Sequence, residues 1–131
     1  MAPERMLRIA LNLLAIHSFF VGIALIVTPA EIFSYFGYQP VAEKFFAVQG
    51  GVFHLVMSFA YYLAAKNMDR EQGLIILTIA AKLAATIFLT MYYILVSPIW
   101  MVLISAITDA MMGLVVWLLF KSFQNKQAEV S

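Results

Sequence analysis

The chain contains no cysteine among its 131 residues. Without thiols it can form no disulfide framework, zinc–thiolate site, iron–sulfur cluster or redox dithiol. This excludes the small four-helix membrane quinone reductases that depend on thiols. Charge is also scarce, since 11% of the residues are charged and the formal net charge is +1. Such a small net charge supplies no long-range field to attract DNA, RNA or an acidic substrate, so we expect no nucleic-acid partner.

Hydrophobic residues make up 64% of the chain, and its mean hydropathy is +0.94. Ordinary globular domains are about 45–50% apolar and about 25% charged. A domain of this length has too much surface for its volume to bury such an excess of apolar side chains in one core. We therefore expect the surplus to face lipid. This excludes a soluble enzyme, a nucleic-acid-binding domain and a disordered tail.

Four apolar windows are long enough to cross a bilayer, whose hydrocarbon core of about 30 Å needs roughly 20 helical residues at a rise of about 1.5 Å each. They span residues 6–27, 45–65, 74–96 and 99–120. Thr28-Pro29 ends the first window, and Ser97-Pro98 forms a tight turn before the fourth. No second domain remains to be placed. The sequence predicts one all-α transmembrane domain over residues 1–131, an integral membrane up-down four-helix bundle.

A secretory signal is the alternative interpretation of the first window, because Arg5 and Arg8 lie at its start. The apolar run is longer than a typical signal core, and Asn12 and His17 interrupt it. We therefore expect this segment to remain in the protein as a transmembrane helix.

Lysine and arginine are unevenly distributed between the two sides of such a bundle. The single cation of one side is Lys44. The other side comprises the amino end, the middle loop and the carboxyl tail, and it holds Arg5, Arg8, Lys66, Arg70, Lys121 and Lys126. Because positively charged short loops stay in the cytoplasm, this distribution predicts that both termini are cytoplasmic.

The first outer loop has a helical pattern of its own. Residues 28–31 (Thr-Pro-Ala-Glu) match a capping box with proline at the first helical position, and Gly37 stands where the helix would end. Ile32, Phe33 and Phe36 would then share one face. We expect a short interfacial helix on the outer membrane surface, which covers lipid or forms a lid over a binding site.

Each predicted helix carries one ionisable residue near the middle of the membrane. Counted from the window ends at about 1.5 Å per residue, His17, His54, Lys82 and Asp109 fall within roughly one helical turn of the same plane. An aspartate or lysine at the centre of a helix costs about 2.5–3.5 kcal/mol on insertion scales, and such groups face the bundle interior and pair. The sequence therefore predicts an ion pair between Lys82 and Asp109.

Polar and small residues recur every fourth position around these charges, which places them along one face of each helix. The stripes are Gly50, His54 and Ser58 on the second helix, Thr78, Lys82, Thr86 and Thr90 on the third, and Ser105, Asp109 and Gly113 on the fourth. Gln49 lies on the outer side of the stripe of the second helix. We predict a bundle with a polar centre.

Two interpretations of this polar centre follow. It forms a hydrogen-bonded network that fixes the helix register, or it forms the base of a pocket for a quinone, lipid or other apolar molecule. No catalytic motif is present, so we expect a non-enzymatic protein. The candidate ligand-binding residues are His17, Gln49, His54, Ser58, Lys82, Thr86, Ser105 and Asp109.

Two further functions would each depend on particular residues among these candidates. His17 and His54 lie at one depth and are suitable axial ligands for a b-type haem, although no arginine lies near the centre for the propionates. A small proton-coupled transporter would use Asp109 as its proton carrier, but pairing with Lys82 would make that carboxylate less ready to exchange protons.

The segment Phe45-Phe46-Ala47-Val48-Gln49-Gly50-Gly51-Val52-Phe53-His54, followed by Tyr61-Tyr62-Leu63-Ala64-Ala65, resembles the DoxX-like and BphX-like small bacterial membrane proteins. Chain length and the four-span plan also agree. The resemblance implies the bacterial inner membrane as location and, because some members are associated with quinol oxidation or aromatic degradation, a quinone-like ligand. It carries over no catalytic residue. We also expect contacts with the lipid bilayer and either a homo-oligomer or a role as accessory subunit of a larger membrane complex.

Overall fold

A computed structural model describes residues 2–39 and 43–130 of the protein. Four long helices are present: α1 (Pro3–Val27), α2 (Phe45–Lys66), α3 (Gln72–Leu95) and α4 (Trp100–Val130). A 3-10 helix, Ala30–Phe36, lies between α1 and α2. The described residues contain no β-strand. All four are long and apolar enough to cross a membrane, and each overlaps one of the four predicted windows.

The helices form a ring in which α1 packs against α2 and α4, and α3 packs against α4 and α2. Contacts between α1 and α2 are antiparallel, because Ser18 meets His54 whereas Ala15, earlier in α1, meets Ser58, later in α2. In the other pair, Lys82 meets Asp109 and Gln72 meets Gln127, which is also an antiparallel arrangement. Both termini and the turn between α2 and α3 therefore share one end of the bundle, here called the terminal end. The opposite end is the loop end.

Two glycines allow the backbones of α1 and α2 to touch. A Cβ atom built on Gly22 would lie 2.8 Å from the carbonyl oxygen of Gly51, and one built on Gly51 would lie 2.7 Å from the carbonyl oxygen of Gly22. Small residues of this kind let membrane helices approach closely. The α1–α2 interface is the most extensive of the four helix contacts.

The apolar core is concentrated at the terminal end. It draws on the first half of α1, the last part of α2, the start of α3 and the second half of α4. Its buried members are Leu7, Leu11, Leu14, Ala15, Tyr61, Ala64, Ala65, Met68, Ile75, Val116, Phe120 and Phe123. The site of interest lies just beyond this cluster, toward the middle of the bundle.

One face of α2 shows how packing changes along the bundle. Residues 46, 53, 57 and 64 lie on that face, since their spacings of seven and four return to nearly the same angle. Ala64 is fully buried at the terminal end, Met57 is partly buried, and Phe53 and Phe46 at the loop end are 64% and 80% exposed. This face of α2 is therefore packed against its neighbours at the terminal end and open toward the loop end.

The 3-10 helix begins one residue later than predicted. Pro29 has an extended backbone (φ −58°, ψ 148°) and occupies the cap position with no side-chain hydrogen bond, so the predicted capping box of residues 28–31 is wrong. The predicted end is confirmed, because Gly37 adopts the left-handed conformation (φ 88°). A location on the membrane surface stays a prediction.

The end of the 3-10 helix and the residues after it meet the start of α4 and the end of α3. Phe36 packs against the ring of Trp100 at 6.2 Å between centroids, and a Cβ on Gly37 would lie 3.0 Å from the same indole. Tyr38 is half-buried, and burial, aided by the neighbouring Tyr92, raises the pKa of its hydroxyl above the usual 10. This loop therefore connects the two helix pairs at the loop end.

Candidate functional site

The predicted ion pair is confirmed. Lys82 Nζ lies 2.5 Å from Asp109 Oδ1, and the two side chains are 6% and 17% exposed. The Ser97-Pro98 turn returns the chain so that α4 runs antiparallel beside α3, which brings the two residues to one level. A lysine this deeply buried needs a compensating charge, and the Asp109 carboxylate supplies it.

Two further residues shape the surroundings of Lys82. A Cβ on Gly113 would lie 3.0 Å from Lys82 Cβ, so glycine at this position lets the lysine stem lie against α4. The ring of Tyr61 on α2 has its centroid 6.0 Å from Nζ, within the range of a cation–π contact. Tyr61 is itself buried in the apolar core. The ammonium thus lies between the carboxylate of α4 and an aromatic ring of α2.

The ion pair borders a pocket of about 350 Å³ between α3 and α4. Ile79, Lys82, Leu83, Thr86, Asp109, Ala110, Gly113, Leu114 and Trp117 line it. Leu83, Leu114 and Trp117 are exposed, whereas Lys82 is buried and Asp109 is partly buried. The pocket therefore opens sideways, on the outer surface of the α3–α4 pair, with the ion pair at its floor and apolar side chains at its rim.

Thr86 lines the pocket one turn after Lys82 but directs its hydroxyl to its own helix. Its Oγ1 donates to the backbone carbonyl of Lys82 at 2.8 Å, and Thr78 donates in the same way to Leu74. Such bonds are usual for threonine in a helix. The threonine stripe therefore does not build an interhelical network, although the Thr86 oxygen can still accept a hydrogen bond.

A second polar contact joins α1 and α2. Ser18 Oγ lies 3.0 Å from both Nδ1 and the backbone oxygen of His54. The hydroxyl has one proton and the backbone oxygen can only accept, so Ser18 donates to that oxygen and Nδ1–H donates to Ser18 Oγ. In the neutral ring this leaves Nε2 of His54 as an acceptor.

The other predicted residues lie outside the pocket wall. The Ser58 hydroxyl donates to the carbonyl of Ala15 at 2.8 Å, which holds α2 against α1. His17 and Gln49 are exposed, and Ser105 is partly buried one turn before Asp109. Both histidines lie within electrostatic range of the Lys82 and Asp109 charges. Of the eight candidates, the pocket wall contains Lys82, Thr86 and Asp109.

Sequence reasoning missed most of the apolar pocket wall and the partner of His54. Trp117, for example, lines the pocket but belongs to none of the polar stripes. Ser18 is 1% exposed and follows His17 directly in the sequence. Its four-residue spacing to Gly22 was the available signal that it faces α2.

The pocket offers an ion pair, the hydroxyl oxygen of Thr86 as an acceptor and apolar walls, a set suited to orienting a bound molecule. Among residues 2–39 and 43–130, the structure shows no group of three histidine, aspartate or glutamate side chains placed to hold a metal ion. Comparison with models of protein families, with curated proteins and with solved structures finds no match to this chain.

Proposed function

We propose that the protein binds a lipophilic small molecule, quinone-like or lipid-like, in the pocket between α3 and α4, and that it does so without catalysing a reaction. The observation that supports this most is the pocket of about 350 Å³ whose floor is the Lys82–Asp109 pair. Ligand sites are mostly apolar recesses of about 300–1,000 Å³ with a few polar groups that fix orientation. This pocket has the volume and the wall of such a site.

The position of the charges supports a binding role. Ionisable groups inside a membrane are costly and generally mark sites of function. A purely structural pair could be enclosed by apolar side chains on all sides. Instead, Asp109 keeps 17% of its side chain exposed at the wall of a recess. A ligand in that recess would cover the remaining surface of the carboxylate.

The surface of the four helices supports a membrane location. Between 17% and 28% of the residues in their apolar windows are buried, so most apolar side chains point outward. Our proposal is an up-down bundle in the bacterial inner membrane with both termini in the cytoplasm and the 3-10 helix on the outer surface. Lipid would then surround the rim of the pocket, and the ligand would enter from the bilayer.

The proposed family and partners rest on the sequence resemblance and on one exposed face of α2. The DoxX-like and BphX-like resemblance supports the four-span plan and a quinone-like ligand. The exposed aromatic face of α2 at the loop end, with Phe46 and Phe53, is suited to packing against lipid or a second subunit. A role as accessory subunit or homo-oligomer is therefore part of the proposal.

A purely structural role is the second candidate. Among the described residues, no buried side-chain nitrogen or oxygen is left without a hydrogen-bond partner. Contacts such as Ser58 to Ala15 and Ser18 to His54 hold α1 and α2 in one register. Interhelical contacts of this kind contribute about 0.6 kcal/mol each in membranes, which is enough to select a register.

Native mass spectrometry with lipid extraction separates the two candidates. The wild-type protein should carry a stoichiometric lipophilic adduct. Ala110→Phe should lose it, because Ala110 lines the pocket and is itself exposed, so the added ring fills the recess without entering the core. Ala84→Phe is the matched control, since Ala84 is exposed on α3 and does not line the pocket. A wild-type protein without any adduct would support the structural role.

The remaining two alternatives are tested on the same protein. A b-type haem held by His17 and His54 would give a Soret band in the absorption spectrum of the purified protein. Proton-coupled transport through Asp109 would give proton flux in vesicles on addition of substrate. The proposal predicts neither signal.

A further inference from the structure

The pocket floor carries no net charge. Lys82 and Asp109 contact each other directly at 2.5 Å, so together they present an ion pair with no net charge to a ligand. A fully charged headgroup would have to leave water, and it would find no unpaired charge of opposite sign in the pocket. Burying such a charge in an apolar site is strongly unfavourable. The recess therefore favours a neutral headgroup.

The two charged side chains are not equally exposed. Lys82 is the more buried, with its ammonium between the carboxylate and the Tyr61 ring. Asp109 is nearly three times as exposed, at 17% against 6%. A carboxylate has two oxygens and about four lone-pair positions, so the bond from Lys82 to Oδ1 leaves capacity to accept another hydrogen bond. The group that the pocket offers is an acceptor.

The pocket extends along α4. Trp117 lines it two turns beyond Asp109 on α4, about 12 Å along the helix axis. Leu114 lies between them and Leu83 faces them from α3. A chain anchored at Asp109 can thus lie along the α3–α4 groove toward Trp117 while its outer side remains in lipid.

From these three features, and on the basis of the proposed function, we infer that the ligand is a neutral hydroxyl-bearing lipid, which selects the lipid-like class of the proposal over the quinone-like class. Its hydroxyl donates to the Asp109 carboxylate, and its apolar chain extends along the groove past Trp117. A headgroup that only accepts hydrogen bonds, such as a ketone or an ether, would meet the carboxylate oxygen with no proton to share.

Trp117 provides a direct readout of occupancy. The chain has two tryptophans, and Trp100→Phe leaves Trp117 as the only one, with an aromatic ring kept at position 100. Bromine quenches indole fluorescence on contact. The purified Trp100→Phe protein in lipid nanodiscs is titrated with 11-bromoundecan-1-ol, its methyl ether, 11-bromoundecan-2-one and 11-bromoundecanoic acid, and quenching is followed against the mole fraction of probe in the bilayer.

The alcohol should quench saturably at a mole fraction about tenfold lower than the ether, a difference of about 1.4 kcal/mol, because only the alcohol donates a hydrogen bond to the charged carboxylate. The ketone and the acid should resemble the ether or bind more weakly. In Trp100→Phe combined with Lys82→Met and Asp109→Leu, the preference for the alcohol should disappear. The probe series on Trp100→Phe alone decides the inference if that triple variant does not fold.

Other outcomes would overturn the inference in different ways. Saturable quenching that is equal for the alcohol and the ether would show a lipophilic site without hydroxyl recognition, which leaves the proposed function intact. Tighter binding of the ketone would show that Lys82, not Asp109, recognises the headgroup. Absence of saturable quenching by every probe would contradict the proposed function itself.

Discussion

Lys82 and Asp109 are the residues on which this site depends. Their contact was predictable because charge is rare in the sequence and because depth counted along each helix places both residues near one plane. A pocket over them was one of the two interpretations of the sequence, but its place between α3 and α4 and its apolar walls could not be predicted, because they depend on how the side chains of the two helices pack. Counting depth says at what level a residue lies, but not which neighbouring side chains are large enough to fill the gap.

The contribution of the ion pair to stability can be measured by removing one or both of its charges. Asp109→Ala leaves the Lys82 ammonium buried without its partner, a change that costs about 3–5 kcal/mol in buried pairs. Asp109→Ala combined with Lys82→Met removes both charges and should be clearly more stable than the single variant. Thermal unfolding in detergent measures the difference. Equal midpoints for the two variants would show that the pair contributes no mutual compensation.

Loss of the Ser18 hydroxyl should weaken the contact between α1 and α2. It is 1% exposed and bonds both the ring and the backbone of His54. Ser18→Ala should lower the free energy of unfolding by about 1–2 kcal/mol, because two polar groups lose their partner. Ser122→Ala is the control, since that hydroxyl is exposed and bonds only to its own helix. An effect no larger than that of the control would contradict the assigned hydrogen bonds.

At the scale of helices, hydropathy and proline predicted where the four spans lie, because each span must cover the same membrane thickness. The polar end of α4 was not predicted: the helix continues from the expected end at 120 to Val130. Phe123 is buried there, and Gln127 hydrogen-bonds to Asp69 and Gln72 near the α2–α3 turn. Tertiary contacts of this kind do not appear in an apolar periodicity.

The contact between α1 and α2 should tolerate no side chain at its closest point. Gly51→Ala places a Cβ 2.7 Å from the Gly22 carbonyl oxygen, so the helices must separate. We expect a loss of about 1–3 kcal/mol, as in other overpacked sites. Gly73→Ala has nothing within 4 Å and should be neutral or stabilise by up to about 1 kcal/mol, because alanine favours helix. Similar losses in both variants, measured by unfolding in detergent, would argue against a backbone contact at Gly51.

At the scale of the whole molecule, the largest apolar cluster lies at the terminal end, and one face of α2 is open toward the loop end. The mid-bundle charges lie at the boundary between these two regions, beside the last turns of the core. The overall plan of four antiparallel spans could be anticipated from the sequence. The uneven packing could not be anticipated. Phe46 and Ala64 occupy the same face of α2, and their exposure depends on which neighbours α2 contacts along its length.

Orientation in the membrane is testable because the chain has no cysteine of its own. A single cysteine at Ser34 in the 3-10 helix should react with a membrane-impermeant maleimide added to intact spheroplasts. A single cysteine at Lys126, near the end of α4, should react only after the membrane is permeabilised. Both positions are exposed. The opposite labelling pattern would reverse the proposed topology.

The central claim is that the recess above the Lys82–Asp109 pair holds a lipophilic molecule. The most direct measurement is the native mass spectrum of wild-type protein, Ala110→Phe and Ala84→Phe, all purified in the same mild detergent. We predict one adduct per chain in the wild type and in Ala84→Phe, and none in Ala110→Phe. An adduct that persists in Ala110→Phe, or none in the wild type, would contradict the claim.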